Sequence, residues 1–131
     1  MQEKHLYDYA VIRVLPRVDR EEFINVGVIL FCASQNFLRA ECSIDPERLA
    51  AFAAGADLSE LQGHLDSVCR ICKGGDEAGP IGRLSRGERF RWLSAPRSTI
   101  VQCSPVHTGL TEDPERTLAN LMEKHVRVLA A

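Results

Sequence analysis

Val26-Gly27-Val28-Ile29-Leu30-Phe31-Cys32-Ala33 places apolar side chains on both faces of an extended chain, the pattern of a central strand covered on both sides. Gly27 interrupts it. A glycine inside a strand permits a bulge or the close approach of another backbone or a ligand, and a packing reason is the expectation here. A strand buried on both faces needs a neighbour on each side, and the flanking sequence offers them.

Upstream, Leu6 to Leu15 reads Leu-Tyr-Asp-Tyr-Ala-Val-Ile-Arg-Val-Leu, β-branched and aromatic residues closed by Pro16, which lacks the amide needed to extend a ladder. Its period of two sets Tyr7, Tyr9, Val11 and Arg13 against Asp8, Ala10, Ile12 and Val14. Arg13 is expected at an edge or solvated position, the alternative being a cation held for a carboxylate or an anionic ligand. Asp19-Arg20-Glu21-Glu22 has capping-box spacing and predicts a short helical turn. Downstream, Ser34-Gln35-Asn36 is a polar loop, and Phe37 to Ile44 alternates after its first residue. Leu38, Ala40, Cys42 and Ile44 then face the core, which makes a hairpin with a half-exposed third strand.

Helices follow. Asp45-Pro46-Glu47-Arg48 starts one, with aspartate as cap and proline at the first helical position, and Gly55 ends it. Asp57-Leu58-Ser59-Glu60 opens a second that runs to Gly74-Gly75, with Leu58, Leu61, Leu65, Val68, Cys69 and Cys72 on its apolar face. Gly74 to Pro80 reads as a loop. Ile81 to Leu93 predicts a third helix, stopped by Pro96 and weakened by Gly82 and Gly87. Ser98 to Cys103 is the late fourth strand, after which Pro105 and Gly109 mark a turn. Asp113-Pro114-Glu115-Arg116 caps a final amphipathic helix carrying Leu118, Leu121, Met122, His125 and Leu129.

The expected fold is α+β: an antiparallel sheet of about four strands, three N-terminal and one late, packed with three to four helices. With 131 residues, 45% hydrophobic and 26% charged, the chain has the balance of one globular domain spanning residues 1–131. No apolar run reaches the roughly 18 residues of a membrane helix, and the N-terminus does not have the pattern of a secretion signal. A cytoplasmic location is expected, and five cysteines without framework spacing read as reduced thiols. Cys69-Arg70-Ile71-Cys72 has metal-pair spacing but lacks a second pair, so core packing is expected and no metal or cofactor.

Charge is uneven. Residues 83–97 hold five arginines and one glutamate, +4 against a net charge of −2. Within residues 89–109 the late strand lies between two shoulders. The first, Arg89 to Arg97, holds the only tryptophan and mixes the residue types enriched at interface hot spots. The second is the turn at Ser104 and His107, where function commonly sits on a scaffold. Nucleophile elbow, phosphate loop and dinucleotide fingerprint are all missing, so no catalytic residue is assigned and an enzyme is not the expectation. With net charge −2, nucleic acid and membrane are not expected partners. A homo-oligomer stays open.

Tyr7-Asp8-Tyr9-Ala10-Val11-Ile12-Arg13-Val14, the stretch Arg20-Glu21-Glu22-Phe23-Ile24-Asn25-Val26-Gly27-Val28-Ile29-Leu30, Arg89-Phe90-Arg91-Trp92-Leu93 with Pro96-Arg97-Ser98, and Ser104-Pro105-Val106-His107-Thr108-Gly109 resemble the bacterial domain of unknown function family 3037 across nearly the whole chain. The resemblance implies kinship without an assigned activity. It also implies a protein partner, a HipA-like kinase encoded beside such genes. The family's marked positions coincide with Arg13, Glu22, Asn25, Gly27, Arg89, Trp92, Arg97, Ser104 and His107. Candidate binding residues are therefore Arg13, Glu22, Asn25, Arg89, Trp92, Arg97, Ser98, Ser104 and His107. The leading expectation is an accessory or regulatory protein that binds another protein. The alternative is an anion-binding module or enzyme acting on a phosphorylated small molecule or nucleic acid, with Arg13, Arg89 and Arg97 as a cationic clamp.

Overall fold

The apolar run does form an inner strand. In a computed structural model that describes residues 3–15, 22–52, 57–97 and 99–127, β1 (His5–Val14), β2 (Ile24–Cys32) and β3 (Phe37–Cys42) make an antiparallel meander. Helices α1 (Pro46–Phe52), α2 (Leu58–Lys73) and α3 (Arg86–Ser94) come next, then β4 (Val101–Cys103), β5 (His107–Thr111) and α4 (Pro114–His125). The order β3-β2-β1-β4, with β5 also on β1, makes five strands among the described residues. The expected α+β class is therefore found, with one strand more than the sequence suggested. No helix among the described residues is long and apolar enough to cross a membrane.

Both sheet faces are covered. Leu49 of α1, Leu61, Leu65, Ile71 and Cys72 of α2, and Phe90 and Leu93 of α3 pack on Ile12, Val14, Ile24, Val26 and Ile29. On the other face Leu118, Leu121, Met122 and Val126 pack on Val28, Leu30 and Cys32. Alternation along β2 divides its side chains between these two cores. Leu58, assigned to the apolar face of α2, is 42% exposed, because it lies in the first turn, before the helix meets the sheet. Ile71, left off that face, is buried.

A bulge breaks the alternation. Ile12 pairs with Gly27 but Arg13 pairs with Asn25, so Val26 is the extra residue. Val26 and Ile24 consequently share one core, while Asn25 turns to the face of α4, alongside Arg13. The next glycine has no room for a side chain: a Cβ at Gly27 would stand 2.7 Å from the Glu41 carbonyl oxygen and 2.9 Å from Cys42 Sγ. The packing reason expected for Gly27 is found.

Three expectations are corrected. Arg13 is not at an edge, since β1 is flanked by β2 on one side and by β4 and β5 on the other. The turn after β4 is only residues 104–106, and His107 and Gly109 belong to β5, paired with Tyr9 and Tyr7. Gly109 accommodates the Tyr7 ring, whose Oη would be 2.7 Å from an added Cβ. The third helix begins later than residue 81: Pro80–Arg83 is a 3-10 turn, and α3 starts after Ser85, whose side chain and that of Glu88 complete a capping box. The Asp45, Asp57 and Asp113 caps accept the expected backbone bonds. Pro16, the turn at 19–21, Gly55, Ser98 and Leu129 lie outside the described residues.

Candidate functional site

The basic aromatic shoulder is built from the end of α3. Phe90 and Leu93 point into the core, which leaves Trp92, 41% exposed, on the outer side of the helix. Pro96 stops the helix, and the chain folds back so that Arg97 donates to the carbonyls of Leu93 at 3.3 Å and of Trp92. A cation at these carbonyls also meets the negative end of the helix dipole. Its guanidinium carbon sits 4.3 Å from the centre of the Trp92 ring, a cation–π stack. Beside this pair runs a groove of about 380 Å³ between α2, α3 and β4, lined by Trp92, Arg97, Val68, Ile71, Ile100 and His64 among others. Ile100 is 38% exposed there.

Arg89 behaves differently although it is only three residues from Trp92. It is buried, and it donates to the carbonyls of Ile71 at 2.7 Å, Cys72 at 2.8 Å and Leu84 at 3.0 Å. Those bonds tie the C-terminal end of α2 to α3 and satisfy carbonyls with no intrahelical partner. Arg13, Arg89 and Arg97 therefore share no cleft: Arg89 is inside, Arg97 faces the groove, and Arg13 lies on the side of α4.

Ser104 is buried and spent on the sheet. Its Oγ accepts from the Val11 amide at 2.8 Å and donates to the Pro105 carbonyl at 2.9 Å, while its own amide donates to the Val11 carbonyl at 2.8 Å. Both of these hydroxyl bonds serve the junction between β1 and the segment joining β4 to β5. His107 is exposed on β5 with its ring 5.2 Å from that of Tyr9.

A second group gathers at the C-terminal end of α4. Asn25 Nδ2 donates to the His125 carbonyl at 3.0 Å, the His125 ring lies 5.9 Å from Tyr9, and the Arg13 guanidinium is 4.0 Å from the centre of the Phe23 ring. Arg13 Nε, Asn25 Oδ1 and His125 Nε2 are buried without a hydrogen-bond partner among the described residues. Burial, then Lys124 and His107, hold the His125 pKa below the usual histidine range. Glu22 is exposed next to Phe23.

The predicted positions thus divide into the Trp92 and Arg97 groove, the Arg13, Asn25 and His107 face, and the internal Arg89 and Ser104. Tyr9, His64, Ile100 and His125 complete these surroundings and were not among the predicted site residues. Tyr9 could have been flagged, because it shares the strand face of Arg13.

Comparison with known proteins places one family on the chain: a family model described as protein of unknown function (DUF3037) matches residues 9–126. No curated protein and no solved structure matches.

Proposed function

We propose, for a chain that belongs to the DUF3037 family, an accessory or regulatory role exerted by binding another protein at the Trp92 and Arg97 groove. The observation that carries this is a single exposed tryptophan stacked on an arginine that is already fixed to the helix end. Tryptophan and arginine dominate interface hot spots. Their cost of ordering on association is lowered when the free protein already holds them in place. The groove beside them is lined mainly by apolar side chains of Val68, Ile71, Leu93 and Ile100, so it suits an apolar side chain of the partner rather than a phosphate. The proposed partner is an adjacently encoded HipA-like kinase, and the proposed setting is the bacterial cytoplasm.

The test is co-expression with that kinase, co-purification, and titration of the purified pair. Trp92→Ala should weaken the complex by roughly 30-fold, the about 2 kcal/mol of a hot-spot truncation, with the circular dichroism spectrum unchanged. Arg97→Ala should weaken it as well. Failure to co-purify, or equal affinity of the Trp92→Ala protein, overturns the proposal.

A further inference from the structure

The two most exposed large apolar side chains among the described residues, Leu110 at 63% and Leu6 at 61%, are register partners on neighbouring strands. Register partners project to the same face of a sheet. By the period of two along β1 this is the face of Ile12 and Val14, which pack in the core under α2 and α3. At the Leu6 end the pair stands uncovered. Strand β5 is itself exposed at His107, Thr108 and Leu110. It pairs with β1 alone, and no backbone bond from another described residue reaches its outer side. Such a row of free amides and carbonyls is a template for a further strand.

We propose that a second copy of this chain supplies that strand: two β5 strands pair antiparallel about a two-fold axis and join the five strands of each copy into one sheet. Charge selects this occupant. Residues 107–111, His-Thr-Gly-Leu-Thr, hold no lysine, arginine, aspartate, glutamate or proline, the residues that keep exposed edges apart. Asp8, two residues along from Leu6 on the leucine face, accepts from Thr108 Oγ1 at 2.8 Å. The other edge strand, β3, carries Arg39 and Glu41. It offers no matching uncharged edge, so growth stops at two copies.

A strand paired with itself must keep like faces together, which limits the register. With Leu110 opposite Leu110 of the second copy, Gly109 lies opposite Thr111. With Gly109 opposite Gly109, Leu110 lies opposite Thr108 and diagonal to Leu110. Both registers set Leu6, Leu110 and their counterparts in one apolar row across four strands, β1-β5-β5-β1. Glu112, just past the strand, falls opposite Thr108 or Val106 of the second copy and never opposite its own counterpart. The contact is isologous, the same patch serving both copies. With 5 residues a side it belongs among small, transient interfaces.

The test is sedimentation velocity of the full-length protein from about 5 µM to about 1 mM, the range in which a small interface dissociates, with amide hydrogen exchange at both ends of that range. No kinase is present, so the outcome is independent of the Trp92 and Arg97 groove. The 14.6 kDa monomer should give way to a dimer as concentration rises, and the outward amides of β5 should then exchange more slowly. Leu110→Lys, a change at an exposed position, should leave the circular dichroism spectrum and the urea midpoint unaltered. It should weaken dimerisation about tenfold or more, because it sets a cation into the apolar row. Leu58→Lys, at an exposed leucine of α2, should dimerise like the unaltered protein. A monomer throughout the range, open-ended assemblies, or a dimer whose β5 amides gain no protection overturns the proposal without any variant. So does a dimer as tight in Leu110→Lys, or one weakened equally by Leu58→Lys.

Discussion

Val11 and Ser104, 93 residues apart, exchange two hydrogen bonds: the Val11 amide donates to Ser104 Oγ and the Ser104 amide to the Val11 carbonyl, each at 2.8 Å. The serine side chain thereby stands in for a ladder bond in the gap between β4 and β5. Ser104→Ala leaves the buried Val11 amide without its acceptor and should cost about 1–3 kcal/mol of unfolding free energy. Partner affinity should not change. Urea unfolding and binding titrations read both, and a loss of binding at unaltered stability would return Ser104 to the list of contact residues.

Arg89 should matter to stability where Arg97 matters to binding. Arg89→Met keeps the apolar stem but abandons the carbonyls of Ile71, Cys72 and Leu84, so a loss of about 3 kcal/mol is expected from bonds that a charged donor makes. Denaturant midpoints of Arg89→Met and Arg97→Ala measured side by side check this, with Arg97→Ala the smaller effect.

Gly27→Ala should destabilise by about 1–3 kcal/mol, the range for overpacking. The added methyl meets the Glu41 carbonyl oxygen at 2.7 Å, which is backbone and cannot swing away. The same substitution at Gly63, where nothing lies within 4 Å, is the control and should be neutral or stabilising.

His125 should make the protein acid-labile. Its pKa is lowered in the folded state by burial first, then by Lys124 and His107, so the unfolded chain, with a value near 6.5, binds the proton more readily. Stability from this group is present above about pH 6.5 and falls as pH drops through that value toward the folded pKa. Unfolding free energies between about pH 5 and 8 should slope for the unaltered protein and flatten for His125→Gln.

Alkylation of Cys69 should rise with pH around a midpoint of about 7, following its thiolate. Iodoacetamide labelling with peptide mapping reads it.

Much of the fold could be read because its signals are local. The three aspartate caps need only the first turn of their own helix, and the doubly apolar run of β2 declares its burial without reference to its neighbours. What escaped depends on distant partners. His107 to Thr111 contains one large apolar residue and a glycine, and it is a strand because β1 offers an edge about a hundred residues earlier in the chain. The bulge at Val26 leaves no mark in an apolar sequence, yet it decides that Asn25 faces α4. For the candidate site, residue type pointed to the shoulder at Trp92 and Arg97. It did not separate Arg89 from Arg97, because the difference lies in which helix ends their guanidinium groups reach.

Strand β1 takes its second side from residues 101–111, which follow it only after three helices. During synthesis at about 5–20 residues per second, β1 therefore waits roughly 5–20 s with that side unsatisfied. An open edge of that kind is a template for pairing between chains, so any aggregation on the ribosome and any slow phase of refolding from denaturant would share a single origin, the distance along the chain between a strand and the two short strands that close it.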